Sequence, residues 1–244
     1  MHFGLIISEP DRNAAMREQL RDLLSRQLIP FTGFTDEPAP RFAGFSGSQD
    51  DFLRLCAQVL LRPCEAIPAE HLLQCLSGSD ARCGNVIRRY VCLQLSLMPY
   101  IAAGAAVTEL DGGHLLGKSL FIAHLGGDGR IDAALPGGLW TDLFSGECFS
   151  GSRLRLMRSV NAMPVLAAPG SIIPIGVNDR TPDYDYADRI TLHWFEPDGK
   201  ASVILPDGTE YTLTDDHGSV RCETDSRAVY HVIVHRQGDE ELLL

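Results

Sequence analysis

The stretch 177–189, VNDRTPDYDYADR, is rich in side-chain oxygens, and carboxylate oxygens are the ligands that calcium prefers. An EF-hand loop also needs a glycine and a terminal glutamate at fixed positions, and this stretch lacks both at the required spacing. We therefore interpret it as a solvated linker between two β units. Its acidic and aromatic side chains are Asp183, Tyr184, Asp185, Tyr186 and Asp188.

His71 lies between Cys64 and Cys75, and imidazole and thiolate are the ligands that zinc prefers. A structural zinc site joins two compact ligand pairs, whereas C-x6-H-x3-C contains no second pair. We therefore interpret this spacing as chance and predict no metal site and no cofactor.

The two tryptophans are candidates for sugar binding, because an indole ring can stack on a sugar face. Trp140 and Trp194 each lie within a β-like run, where a single tryptophan is more often a core residue. Nucleophilic catalysis by a Ser-His-Asp triad would place a serine on a strand-to-helix elbow, and the sequence has no GxSxG motif. These residues alone identify no catalytic centre.

Three helices are predicted in the first hundred residues. Apolar residues recur at three- and four-residue intervals over 13–28, which is typical of an amphipathic helix. A second helix begins near Asp50 and ends at Pro63, because proline removes a donor and clashes within a helix. A third, unusually apolar helix is predicted over 85–103, with a kink at Pro99.

From about residue 107 the sequence changes to short β-rich runs separated by glycine- and aspartate-bearing turns. This spacing is typical of an all-β sandwich with antiparallel strands. Asp-Gly dipeptides favour tight hairpin turns, and three of them lie between such runs. They are Asp128–Gly129, Asp198–Gly199 and Asp207–Gly208, and a further turn is predicted at Asp215–Asp216, just before His217–Gly218.

The net charge limits the kinds of partner that the protein can bind, and the cysteine content bears on its cellular compartment. The formal net charge is -11 and no Lys/Arg cluster occurs, which argues against nucleic acid or an anionic membrane as a partner. The seven cysteines show no CxxC pair, and we interpret them as reduced packing residues. The amino-terminal apolar run is too short for a signal h-region, so we expect a cytoplasmic protein.

Several segments resemble glycoside hydrolase family 31, in particular its α-xylosidase branch. LLGKSLFIAHL (115–125), AALPGGLWTDLFSGECFSGSRLRL (133–156) and MPVLAAPGSIIPIG (163–176) are similar to motifs of the family's proximal carboxy-terminal domain. The run from 175 to 213 looks like the distal β domain of the α-xylosidase branch. RRYVCLQLSLMPYI (88–101) is similar to the last barrel helix of the family.

The resemblance implies a retaining glycosidase, but the catalytic groups do not carry over to this chain. Aligning DRN with the family's GDN motif places Arg12 where the acid/base aspartate belongs, and Asp11 could be the acid if the alignment shifts by one residue. Ala66 and Pro68 fall where the family has an arginine and a histidine that bind the sugar. The nucleophile follows barrel strand four, and only about 106 residues precede the β region, so the nucleophile is expected outside this sequence.

The resemblance therefore predicts an α+β, mainly β chain: a barrel remnant over 1–106, a proximal β domain over 107–178 and a distal β domain over 179–244. We expect a degenerate α-xylosidase-like or α-glucosidase-like protein, inactive alone, with structural β domains. The alternatives are a carbohydrate- or protein-binding β module and one half of a split enzyme. Helices without their barrel strands are expected to expose an apolar patch, or to cover it by self-association or with a chain that supplies the missing half barrel.

Overall fold

The structure is a computed structural model that describes residues 4–78 and 80–237. The chain divides into two units: the first is Met1–Leu95 with Asn178–Tyr184, and the second is Ser96–Val177 with Asp185–Leu244. The predicted class is confirmed, since the second unit consists mainly of β-sheets and the first combines helices with a small sheet.

A three-stranded parallel sheet forms the centre of the first unit. Its strands are β1 (Ile6–Ser8), β2 (Gly33–Thr35) and β3 (Ala66–Pro68), in the order β2-β1-β3. Consecutive strands of a (β/α)8 barrel are neighbours in sequence order, whereas here β3 pairs with β1. The chain therefore reverses direction across the sheet, and the switch point lies between β1 and β3.

The first two predicted helices are confirmed. Helix α1 (Ala14–Arg26) begins where the Asn13 side chain accepts a hydrogen bond from the Met16 amide, and its buried residues Leu20 and Leu24 form the predicted stripe. Helix α2 (Gln49–Leu60) begins with a reciprocal capping box between Ser48 and Asp51. It ends just before Pro63, as the missing proline donor requires.

The third predicted helix is interrupted rather than kinked. Helix α4 (Arg82–Ser96) ends at Ser96, and the short helix α5 (Met98–Ala102) begins after Leu97 with Pro99 in its first turn. Proline has no amide hydrogen to donate and clashes with the preceding turn, so the helix restarts instead of bending. Helix α3 (Ala69–Ser77), which the sequence analysis missed, lies between β3 and α4.

One cysteine interpretation is wrong, because Cys75 and Cys83 form a disulfide. The bond joins the end of α3 to the start of α4, with the two Cα atoms 6.0 Å apart. A turn between two helices creates this proximity, and cysteine spacing alone does not reveal it. The free cysteines are Cys56, Cys64, Cys92, Cys148 and Cys222.

The apolar stripes of the helices are largely buried, contrary to the expected apolar patch. Among the described residues of the first unit, Leu28 is the one large hydrophobic side chain that is strongly exposed. Residues such as Phe52, Leu53 and Ile87 lie within the core. The first unit thus buries these stripes within its own chain.

The second unit begins with a six-stranded antiparallel sheet in the order β4-β5-β6-β11-β8-β9, together with the antiparallel pair β7 and β10. No α-helix interrupts this region in the described chain from 119 to 175, as predicted; a 3₁₀ turn lies at Val160–Ala162. The strands are β4 (Val107–Leu110), β5 (Gly113–Leu116), β6 (Leu120–Ala123), β7 (Arg130–Ala134), β8 (Trp140–Asp142), β9 (Cys148–Phe149), β10 (Arg153–Met157) and β11 (Val165–Ala167).

Two three-stranded sheets complete the second unit, in the orders β12-β13-β17 and β14-β15-β16. Their inward side chains, including Leu192, Trp194 and Tyr211, share one apolar core. Strands β13 and β17 pair in parallel, which departs from the purely antiparallel prediction. The strands are β12 (Ile172–Ile175), β13 (Ile190–Phe195), β14 (Lys200–Ile204), β15 (Glu210–Asp216), β16 (Ser219–Thr224) and β17 (Tyr230–His235).

Only one of the three Asp-Gly dipeptides proposed as hairpin turns closes a hairpin. Asp207–Gly208 joins the paired strands β14 and β15, and Gly208 has a φ of 89°. Asp128–Gly129 and Asp198–Gly199 also have glycines with positive φ, but they connect strands of different sheets. The dipeptide supplies the turn conformation, while strand pairing depends on distant partners. The turn predicted at Asp215–Asp216 lies two residues later, because Asp215 and Asp216 end β15 and His217–Gly218 joins β15 to β16.

Candidate functional site

A cleft of about 350 Å³ lies at the carboxyl ends of β1 and β3 in the first unit. In open α/β sheets this end of the switch point is the usual place for a ligand. Its floor includes the buried residues Ser8 and Glu9. Its walls and rim are formed by Pro10, Asp11, Asn13, Met16, Pro38, Ala39, Phe42, Pro68, Ala69, Glu70 and His71.

A network of ion pairs holds the segment after β1. Arg17 donates from Nε to Glu9 Oε2 at 2.8 Å and from a terminal nitrogen to the Glu9 carbonyl at 3.0 Å. It also pairs with Asp36 at 3.2 Å, and Arg12 pairs with the other oxygen of Asp36. Glu9 is only 4% exposed, so Arg17 neutralises a carboxylate that would be costly to bury alone.

These contacts perturb two pKa values in the network. The hydrogen bond to Glu9, with a smaller contribution from Asp36, raises the pKa of Arg17. The hydrogen bond from Arg12, followed by that from Arg17, lowers the pKa of Asp36. Both shifts favour the charged forms. The lowered pKa of Asp36 keeps that side chain in its carboxylate form, so Asp36 is not set up to donate a proton.

Of the residues aligned with the family's catalytic and sugar-binding groups, Asp11 and Pro68 line this cleft, whereas Arg12 and Ala66 do not. Arg12 has a positive φ of 53° and points its guanidinium to Asp36. Asp11 is exposed on the cleft rim. Ala66 and Pro68 are the first and last residues of β3, and neither has a side chain that can bind a sugar hydroxyl.

The three residues that were weighed as zinc ligands, Cys64, His71 and Cys75, have separate environments. Cys75 is bonded to Cys83, and Cys64 is exposed in the turn before β3. His71 packs face to face with Phe52 at a centroid distance of 5.8 Å and edge-on against Phe45 at 5.4 Å. Its buried Nδ1 has no hydrogen-bond partner among the described residues.

The acidic stretch around Asp183 is organised by local turns. Asn178 Oδ1 accepts the amide of Arg180, and Asp185 Oδ1 accepts the amide of Ala187. The Tyr184 hydroxyl donates to the Leu95 carbonyl at 3.0 Å. Within residues 4–78 and 80–237, no three His, Cys, Asp or Glu side chains are grouped to hold a metal ion.

Both tryptophans are core residues, which excludes them as exposed sugar platforms. Trp140 is 3% exposed and donates to the Pro136 carbonyl at 2.7 Å. Trp194 is fully buried and donates to the Gly170 carbonyl at 3.3 Å. The residues around the cleft that sequence analysis missed are those of the ion-pair network, Glu9, Arg17 and Asp36, because no local pattern indicates that their side chains meet.

Two histidine pairs lie in the second unit. His114 Nδ1 and His124 Nε2 are 2.8 Å apart, and His193 Nδ1 and His235 Nε2 are 2.9 Å apart. Burial, and secondarily the neighbouring His235, lowers the pKa of His193 to about 4. Asp142 is the buried carboxylate of the β8 turn, where it accepts the amides of Phe144 and Ser145, and burial raises its pKa.

Comparison with known proteins connects this fold to glycoside hydrolases. No protein-family model matches the sequence. The chain is similar to the cycloalternan-forming enzyme of Listeria monocytogenes, with a TM-score of 0.65, 18% identity, and coverage of 80% of this chain and 23% of that one. It is also similar to the Flavobacterium johnsoniae family 31 dextranase, with a TM-score of 0.61, 19% identity, and coverage of 87% of this chain and 32% of that one. The similarity to the Xanthomonas citri family 31 α-xylosidase has a TM-score of 0.59, 14% identity, and coverage of 94% of this chain and 31% of that one.

These similarities show the fold: the chain has the mainly β architecture of the carboxy-terminal part of glycoside hydrolase family 31 enzymes. It spans about a quarter to a third of the length of these structures. Enzymes of different specificity match about equally well, so the comparison does not select the α-xylosidase branch. None of the helices in the described residues has the length and apolar character to cross a membrane.

Proposed function

We propose that this chain is a relative of the family 31 glycosidases that does not hydrolyse α-glycosides alone, and that its β-sheets have a structural role. The observation that carries the proposal is the ion-pair network after β1. Arg12 occupies the position that the sequence alignment gives to the acid/base aspartate, and its guanidinium is paired with Asp36. An arginine side chain does not lose its proton in proteins, so it cannot serve as the acid.

The other carboxylates near Arg12 do not replace the missing acid. Retaining hydrolysis needs two carboxyl groups about 5 to 5.5 Å apart, one of which is protonated in the resting enzyme. Glu9 accepts hydrogen bonds from Arg17 and is held as a carboxylate partner. Asp11 lies exposed to solvent at the rim of the cleft. Among the described residues near Arg12, Glu9 and Asp11 therefore do not form a pair of carboxylates arranged for acid and nucleophile roles.

The substrate-binding groups are also absent from β3. A glycosidase holds the sugar through hydrogen bonds that strengthen in the transition state. Ala66 and Pro68 supply no side-chain donors or acceptors there. Loss of sugar binding and loss of the proton donor act on the same step, which supports an inactive chain.

We propose an α-xyloside or a related α-glucoside as the substrate class of the active relatives. The motifs of 133–156 and 163–176 and the similarity to the Xanthomonas citri α-xylosidase support this choice. The similarity to a dextranase keeps α-glucosides within the same proposal.

The two alternative functions receive less support from the structure. A sugar-binding module usually presents exposed aromatic rings, whereas Trp140 and Trp194 are buried. A split enzyme would require a partner chain to complete a barrel with sequential strand order. β3 would then have to leave its pairing with β1 and move to the other side of β2.

The test is hydrolysis of p-nitrophenyl α-xyloside and p-nitrophenyl α-glucoside by the purified chain. We expect no release of p-nitrophenol above the buffer rate, because both the acid and the sugar-binding groups are missing. The Asp11→Asn variant should behave like the wild type. Turnover that follows the protein through purification and is abolished by Asp11→Asn would overturn the proposal.

A further inference from the structure

The disulfide between Cys75 and Cys83 joins two helix ends of opposite polarity. Cys75 lies in the last turn of α3 (Ala69–Ser77), and Cys83 is the second residue of α4 (Arg82–Ser96). A helix has a partial negative charge at its carboxyl end and a partial positive charge at its amino end, each roughly half an elementary charge. An anionic sulfur is therefore favoured at Cys83 and disfavoured at Cys75.

Burial and neighbouring charges do not cancel this difference between the two sulfurs. Cys75 is 3% exposed and Cys83 is 0% exposed, so the cost of burying a thiolate is similar at both. Arg82 precedes Cys83, but its guanidinium pairs with Asp50 and adds no net charge. Asp80 lies at the same helix end and is exposed, so solvent and salt screen its carboxylate.

A side-chain donor adds to the asymmetry. Gln49 donates from Nε2 to Cys83 Sγ, at a distance of 2.7 Å. Hydrogen bonds to a charged acceptor are stronger than those to a neutral one, so this bond strengthens when Cys83 becomes a thiolate. In thiol–disulfide exchange, the sulfur that forms the more stable thiolate leaves faster. Cys83 is therefore the better leaving group of the two.

Access to the bond identifies Cys75 as the sulfur that is attacked. A pocket of about 100 Å³ in the first unit has Cys75 in its wall, whereas Cys83 does not line it. The wall includes the rings of Phe45 and Phe52 and contains no lysine, arginine, aspartate or glutamate. The volume is below the range of roughly 300 to 1,000 Å³ for drug-sized ligands. The pocket therefore suits a small, uncharged thiol.

We propose that the disulfide between Cys75 and Cys83 is an exchange site for small, uncharged thiols. The thiolate of such a compound attacks Cys75 Sγ and forms a new S–S bond there, while the original S–S bond breaks. The electron pair of that bond leaves on Cys83, which accepts the N–H of Gln49 as a thiolate. The number of S–S bonds is unchanged, so the step needs no other oxidant or reductant. This reaction goes beyond the glycosidase relationship, since it involves neither a sugar nor a catalytic carboxylate.

Exchange removes a covalent tie between α3 and α4. The hydrogen bond from Gln27 Nε2 to the Leu76 carbonyl, at 3.0 Å, still holds the end of α3 to the end of α1. The junction of the three helices therefore keeps a noncovalent contact when the disulfide opens. The mixed disulfide at Cys75 is the modified form of the protein.

The test is a limited reaction of the disulfide-bonded full chain with 2-mercaptoethanol, in oxygen-free buffer at mildly alkaline pH. Acid stops the exchange by protonating the thiolates, and peptic digestion in acid followed by mass spectrometry locates the adduct. We expect the adduct on Cys75 and a free thiol on Cys83. Adducts mainly on Cys83, or equally on both cysteines, would contradict the proposal, as would a disulfide that reacts only after the chain is unfolded in urea.

Two substitutions in α2 test the part assigned to the hydrogen bond. Gln49→Leu should slow the exchange about tenfold, the size expected for one hydrogen bond to a charged group. Gln58→Leu makes the same change in the same helix, outside the pocket, and should leave the rate unchanged. A variant that merely loosened the fold would expose the disulfide and exchange faster. An equal or faster rate for Gln49→Leu would show that Cys83 is not the assisted leaving group, and the proposal would be wrong.

Discussion

Acid should destabilise the distal β region through a single histidine, His193. Its ring stacks on His235 with a centroid distance of 5.2 Å and an interplanar angle of 7°, and the two rings share a hydrogen bond of 2.9 Å. Burial, and then the charge of His235, lowers the pKa of His193 from 6.5 to about 4. Protonation of both rings would remove the acceptor and place two cations side by side.

The direction of the pH effect follows from this depressed pKa. Between about pH 4 and pH 6.5 the unfolded chain binds a proton at residue 193 that the folded chain does not. Stability from the neutral ring is therefore fully present above pH 6.5 and is lost as the pH falls to about 4. At about 1.4 kcal/mol per pH unit, the loss over this interval is about 3 kcal/mol.

The assay is urea unfolding followed by tryptophan fluorescence, since Trp194 is adjacent to His193 and is buried in the same region. His193→Gln should flatten the pH dependence, so that the difference in unfolding free energy between wild type and variant changes by about 3 kcal/mol from pH 7 to pH 4. His231→Gln removes an exposed histidine of β17 and serves as the control. If the difference in unfolding free energy between the wild type and His193→Gln stays constant with pH, the reasoning is refuted.

Three further substitutions test other parts of the fold. Cys75→Ala/Cys83→Ala should lower the unfolding free energy by about 2 to 3 kcal/mol, the chain-entropy value for a separation of 8 residues, and peptide mapping without reductant checks the bond itself. Arg17→Met leaves the buried Glu9 unpaired and should lower Tm more than Arg26→Met, whose ion pair with Asp22 is exposed; equal effects would contradict the role of the network. Gly208→Ala should lower the unfolding free energy by about 1 kcal/mol, because φ at Gly208 is positive. Gly137 also faces open space but has no positive φ, so Gly137→Ala should lower the unfolding free energy less in the same denaturation assay.

Local sequence patterns predicted the elements whose cause is local. The apolar spacing of α1, the proline after α2 and the alternation of turns and β runs each act over a few residues. The helices and strands predicted from these patterns lie close to the positions that the structure shows. The helix caps formed by Asn13 and Ser48 also have a local cause, since each bonds to an amide three residues away, but the sequence analysis did not identify them.

Features that depend on distant partners could not be predicted in the same way. Strand β1 pairs with β3 across about 60 residues, and β13 pairs with β17 in parallel across about 40. Neither pairing leaves a periodic signal in the sequence. The ion pair between Glu9 and Arg17 and the disulfide between Cys75 and Cys83 likewise arise from folding, not from recognisable motifs.

The most direct test of the central claim is the release of p-nitrophenol from p-nitrophenyl α-xyloside by the wild-type chain and by Arg12→Asp/Ala66→Arg/Pro68→His. The triple variant restores the family's acid and sugar-binding residue types at the aligned positions. The account predicts the buffer rate for both proteins, because the neighbouring carboxylates Glu9 and Asp36 are paired with Arg17 and are not placed to attack the sugar. Turnover by the wild-type chain that coelutes with the protein and disappears in Asp11→Asn would contradict it.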